Sequence, residues 1–219
     1  MLFTGQGSEM LSHVLMKSSS ESLIDFVSVG NMSSGSSPTV DIPTTDLQAG
    51  DLLVLCVCSG GDTTTPSGWT LAASFTQSGS VRIATFYKIS DGLETDFTLG
   101  NSQSRTQCGV IQYRSFGGSI TYGNTATNNG IGTNASTTSQ TINTVPALIV
   151  SHFCKAADIN DIGTVSGTNQ RLLGTSDGTL TNIRVVDEFV DTTGSSTVRS
   201  ESGLYSADWC TNALYFYVS

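Results

Sequence analysis

The stretch from Ala49 to Ile89, AGDLLVLCVCSGGDTTTPSGWTLAASFTQSGSVRIATFYKI, constrains this chain more than any other. Asp51–Cys58 reads as a continuous apolar run, fenced by Gly50 in front and Ser59-Gly60-Gly61 behind. A run this short fits a strand buried on both faces better than a helix. Pro66-Ser67-Gly68 predicts a turn, and Trp69–Phe75 a second strand. After Gln77-Ser78-Gly79-Ser80, Val81–Ile89 predicts a third. Its odd positions (Val81, Ile83, Thr85, Tyr87, Ile89) suit a packed face. Its even positions include Arg82 and Lys88, so the other face looks at least partly outward.

The same grammar runs to the end of the chain. Strands are expected at Leu23–Val29, Thr39–Ile42, Asp96–Leu99, Thr106–Phe116 and Thr141-Ile142. They are expected again at Ala147–Cys154, Arg171–Gly174, Ile183–Val190, Thr197–Glu201 and Asp208–Val218. Asn31–Ser37 and Asp191–Ser196 read as loops. Residues 121–139, TYGNTATNNGIGTNASTTS, are small and polar, which predicts a long surface loop between two strands. Roughly ten short strands with frequent turn signals and almost no helix predict an all-β fold. The expected architecture is an antiparallel β-sandwich, jelly-roll-like, over residues 24–219, preceded by an arm at residues 1–23.

The arm has a different pattern. Ser8 is expected to cap a short helix with Glu9 in its first turn and with Met10, Leu11, Val14 and Leu15 on one face. A helix of about ten residues is marginal alone. The arm is therefore expected to dock on its own domain, on a sister subunit or on a larger assembly.

Composition removes several classes of function. Charged residues make up 12% of the chain, about half the usual share. The net charge is −9, which argues against a nucleic-acid partner. The N-terminus lacks the basic region and long apolar core of a secretory signal. No stretch approaches the roughly 18 apolar residues of a membrane span. The expectation is a soluble chain made in a cytosol, with no membrane partner. Five cysteines, Cys56, Cys58, Cys108, Cys154 and Cys210, are an odd count. Without a signal they argue against a disulfide framework. No C-x-x-C or H-x-x-x-H pair suggests zinc, so the cysteines read as small buried hydrophobes.

Residues for catalysis do not converge. His13 and His152 lie far apart, and His152 sits between Ser151 and Phe153 as a core histidine would. There is no G-x-S-x-G, H-E-x-x-H or P-loop pattern. Asp187 and Glu188 point to opposite faces of one strand, which does not suit the paired carboxylates of a glycosidase. Asp158, Asn160, Asp161 and Asp177 offer oxygens to Ca²⁺, but Asx turns explain them more simply. No catalytic, cofactor or metal residue is assigned. For a glycan, the candidates are Trp209 with Asp208 at the start of the last strand. Trp69 also qualifies by type, but it faces the expected core.

Gly50-Asp51-Leu52-Leu53, Pro66-Ser67-Gly68-Trp69 and Tyr87-Lys88 together form a recognisable pattern. Ile42-Pro43, Gln112-Tyr113-Arg114 and Ala147-Leu148-Ile149-Val150 extend it. The chain resembles, over residues 24–219, the GDLL…P-x-GW…YK β-sandwich module of tailed-phage virion structural proteins. The resemblance implies a virion building block with no chemistry attached to the motif. One module plus an arm suits a non-enzymatic capsid decoration or cement protein, made in the host cytoplasm. Its expected partners are the major capsid protein or another virion protein, and further copies of itself in a trimer or dimer. The alternative is a tail, baseplate or fibre-like appendage that binds host glycans.

Overall fold

Two strands have no exposed face, and the rest of the molecule is arranged to cover them. They are β4 (Ala49–Ser59), buried from Asp51 onward, and β11 (Ala147–Lys155), buried throughout. The computed structural model describes residues 23–77, 79, 81–100, 105–156, 163–174 and 181–219. These residues form antiparallel sheets and contain no helix. The proposed arm residues Met10, Leu11, Val14 and Leu15 lie outside the described residues, as do His13 and the Asp158–Asp161 and Asp177 turns.

The first half of the chain builds one sheet. Its strands are β1 (Ile24–Val29), β2 (Ser33–Gly35), β4, β5 (Thr70–Gln77), β6 (Val81–Asp91) and β8 (Thr106–Ser115). They lie in the order β1-β8-β4-β6-β5, with β2 also pairing β8. The short β3 (Thr39–Val40) and β7 (Phe97–Thr98) pair with each other. The second half builds the other sheet from β9 (Ile120–Ser136), β11, β12 (Asn169–Gly174), β13 (Asn182–Val190) and β15 (Ser200–Val218). Its order is β12-β13-β11-β15-β9, while β10 (Thr141–Ile142) pairs β14 (Gly194–Ser195). The sandwich is as expected. The jelly-roll likeness stops there, because the chain completes one sheet before starting the other, crossing between β8 and β9.

Between the sheets, Leu52, Val54, Cys56 and Cys58 of β4 pack with Leu148, Val150 and Cys154 of β11 and with Leu214 and Phe216 of β15. The opposite side chains of β4, Leu53, Leu55 and Val57, are covered by Val40, Ile42, Trp69 and Leu99 from the connecting segments. The outer face of the second sheet is covered differently. Its long ribbon of β9 and β15 doubles back, so that Asn128 Nδ2 donates to the Ser136 carbonyl, eight residues further on, at 3.0 Å. The returning ribbon is closed by the Thr137 amide on the Arg199 carbonyl (2.8 Å) and by the β10–β14 pair. It places Ala135 over Phe153, Val186 and Trp209, and Ile142 over Ile149, Ala213 and Tyr215.

Two expectations are corrected. Residues 121–139 are not a loop, since most of them form β9 along most of β15. Trp209 and Tyr215 of β15 lie across Gly130 and Gly123, and a Cβ at either glycine would collide with the ring. The aromatic strand supplies the bulk and β9 supplies the room, so a segment without strand-like composition is held as a strand by its partner. The loops expected at Asn31–Ser37 and Asp191–Ser196 likewise contain β2 and β14.

The second correction concerns cysteine. All five are buried, but Cys58 and Cys154, 96 residues apart, form a disulfide between the two sheets. A count of cysteines carries no information on which strands face each other; here β4 lies against β11. A thiol assay on denatured, unreduced protein is expected to find three free thiols per chain, and five after reduction. Replacing Cys58 and Cys154 together with alanine is expected to cost about 2–4 kcal/mol of stability, read from the urea midpoint. Five reactive thiols before reduction would contradict the bridge.

Candidate functional site

Asp51, the third residue of β4, is almost completely buried. Its Oδ1 accepts from Arg114 Nε at 2.8 Å, and its Oδ2 from Arg114 Nη2 at 2.8 Å and Gln112 Nε2 at 2.6 Å. The Gln48 amide adds a bond of 2.9 Å. Arg114 reaches on to Asp46 Oδ2 at 2.8 Å and also donates to the Asp46 carbonyl. Burial opposes ionisation of Asp51, but the bonds from Arg114, Gln48 and Gln112 outweigh it and hold the carboxyl below its ordinary range. A depression of about 280 Å³ adjoins the pair. The carboxylate is spent on internal partners, so the cluster is a clamp. It joins the start of β4 to the end of β8, coupling the Gly50-Asp51 and Gln112-Tyr113-Arg114 parts of the motif.

His152 is a core histidine, as the sequence suggests. Its Nδ1 shares a hydrogen bond of 2.9 Å with Thr85 Oγ1, and Asn212 Nδ2 donates to the same hydroxyl at 2.9 Å. Thr85 belongs to β6 and the other two to β11 and β15, so these bonds cross between the sheets. Burial pushes the His152 imidazole down to about 3. Burial also raises the thiols of Cys56, Cys108 and Cys210, the last two to about 12. None of these groups meets solvent. Asp187 and Glu188 do separate to opposite faces: Asp187 accepts from Arg171 Nε at 2.6 Å, and Glu188 pairs with Arg199. Among the described residues no three His, Cys, Asp or Glu side chains gather as a metal site.

The glycan candidates exchange places. Trp209 is 7% exposed and packs with Phe153, Val186, Ala135 and Val165, above Gly130. Asp208 beside it is half-buried. The folded-back ribbon leaves no open ring face at Trp209. Trp69, 9% exposed and packed in the core beneath, instead borders a groove of about 520 Å³ on the outer face of the first sheet. Its ring centroid is 6.1 Å from that of Phe97, with the planes at 48°. Ile42, Leu93, Lys88, Glu94 and several threonines complete the lining. The P-x-GW turn is the one sequence signal for this place. Phe97 reaches it because β7 pairs β3 over the face of β4, while Lys88 comes from β6 and Glu94 from the turn that follows it.

Replacing Arg114 with methionine leaves the Asp51 carboxylate buried and uncompensated, with an expected loss of about 3 kcal/mol in urea unfolding. Asp46→Asn, at the exposed end of the clamp, is expected to cost less; equal losses would show that Asp51 is not the anchor. His152 makes a separate pH prediction. Its folded pKa lies below the 6.5 of the unfolded chain, so the unfolded state binds more protons as pH falls. Stability is full above pH 6.5 and declines toward about 3, with about 2–3 kcal/mol lost between pH 6.5 and 4.5. Below the ordinary carboxylate range, Asp51 and Glu94 add to the decline, since both titrate lower in the fold. His152→Gln is expected to remove this decline between pH 6.5 and about 3 and to leave the carboxylate part of the profile in place, measured by urea midpoints at successive pH values.

Comparison of this chain with protein-family models, with curated proteins and with solved structures finds no match.

Proposed function

We propose that this chain is a non-enzymatic structural protein of a tailed-phage virion, a capsid decoration or cement protein. The observation that carries this reading is what the motif residues do. Asp51 clamps β4 to Arg114, and Trp69 packs over the first sheet. Tyr87 stacks on Tyr122 of the other sheet at 4.9 Å. Lys88 pairs with Glu94 at 2.9 Å. Each conserves the shape of a building block, and none is placed to do chemistry. The low charge supports the same role, because copies crowded on a particle repel one another less when few side chains are charged.

In this reading residues 1–22 dock on the major capsid protein or another virion protein, and the sandwiches associate as a dimer or trimer. The second reading is a tail, baseplate or fibre-like appendage that contacts host glycans. The groove at Trp69 is the observation in its favour.

Immunogold microscopy of purified particles separates the two. Label over the head is expected; label confined to the tail moves the assignment to the appendage, and unlabelled particles reject both. Deleting residues 1–22 is expected to abolish particle binding while the melting temperature of the sandwich stays unchanged. A truncated protein that still coats particles would exclude docking through the arm.

A further inference from the structure

We propose that the groove at Trp69 is a binding site for a neutral saccharide. Its volume of about 520 Å³ lies within the ~300–1,000 Å³ of small-molecule sites. Trp69 is 9% exposed and gives the groove little ring surface, so the half-buried Phe97 and Leu93, 82% exposed, offer the apolar surface to the C–H face of a sugar ring. Around them stand the hydroxyls of Thr64, Thr65, Ser67 and Thr95, all on exposed residues. These hydroxyls make no hydrogen bond among the described residues. A hydroxyl both donates and accepts, which matches the hydroxyls of a sugar better than it matches a ligand of one polarity.

The charges of the groove select against an ionic ligand. Lys88 and Glu94 are the charged residues that line it, and they face each other at 2.9 Å. Glu94 is further satisfied by Ser90 Oγ at 2.5 Å and the Asp91 amide at 3.1 Å. Burial opposes its ionisation, but those bonds bring the carboxyl down to about 2. The pair therefore stays closed and leaves no net charge for an anion or a cation.

The groove is also built before a ligand arrives. The Thr64 amide donates to the Gly100 carbonyl at 3.1 Å, tying one wall to the end of the other. The Ile42 amide donates to Asp96 Oδ1 at 2.8 Å, and the Trp69 amide to the Pro66 carbonyl at 3.2 Å. A fixed wall spares the ligand much of the cost of ordering the site. The site belongs to the sandwich itself and is independent of where on a particle the chain sits.

The test is an array of immobilised glucose-, galactose-, mannose- and N-acetylglucosamine-containing oligosaccharides beside sialylated and sulfated ones, probed with the purified full chain. Saturable binding to one or more neutral glycans is expected. Thr95→Arg and Thr65→Arg, both at exposed positions, fill the groove and are expected to weaken that binding about ten-fold or more with unchanged melting temperature. No binding to any glycan, or binding to acidic glycans alone, overturns the proposal. So does neutral-glycan binding that survives both substitutions in folded protein. Because the array uses isolated protein, its result is separate from the particle labelling that tests the virion assignment.

Discussion

A strand that is apolar on both faces must be covered on both faces. β4 and β11 are such strands, and they lie against each other at the centre of the molecule. Each buried aliphatic side chain favours the folded state by roughly 1.5–3 kcal/mol, so an uncovered outer face would forfeit much of the driving force. The fold therefore has four layers in effect: two sheets and two covers. The clamp at Asp51 and the Thr85–His152–Asn212 bonds then fix how the strands and sheets align. The Asp51 carboxylate, the Thr85 hydroxyl and His152 Nδ1 are tolerated because they are paired; a slipped register would leave them unpaired in an apolar interior.

The two covers differ, and the difference places the candidate site. The second sheet is covered by its own doubled ribbon, with ordinary strand pairing and aromatic side chains seated over glycines. That cover closes tightly over Trp209. The first sheet is covered by connecting segments rich in threonine and turn residues. Such segments cannot tile a surface as strands do, and they leave the groove beside Trp69. Both tryptophans are buried, and the looser cover leaves a groove beside Trp69.

Much of the fold was legible because period and punctuation are local. The runs at Asp51–Cys58, Val81–Ile89 and Ala147–Cys154 announced strands, and Asp187-Glu188 announced an inward and an outward residue. β9 was not legible, since Asn, Thr and Gly there say nothing of the rings of Trp209 and Tyr215 that need the space. The candidate site was legible in part. Trp69 was visible as a residue type after a turn, but Phe97 arrives through the separate β3–β7 pair, and Lys88 and Glu94 from β6 and the turn after it. Nothing local to Trp209 reveals that the chain folds back over it.

The sequence alone determined that this chain is all-β, that its central strands are buried on both faces and that its surface is sparsely charged. Side-chain alternation and turn residues act over a few neighbours, which is why they can be read directly. Only the tertiary structure decided that each half of the chain makes its own sheet. It also decided that Cys58 meets Cys154, and that Trp69 rather than Trp209 borders a groove. Those outcomes depend on which surfaces face each other, and that is set by packing between segments far apart in the chain.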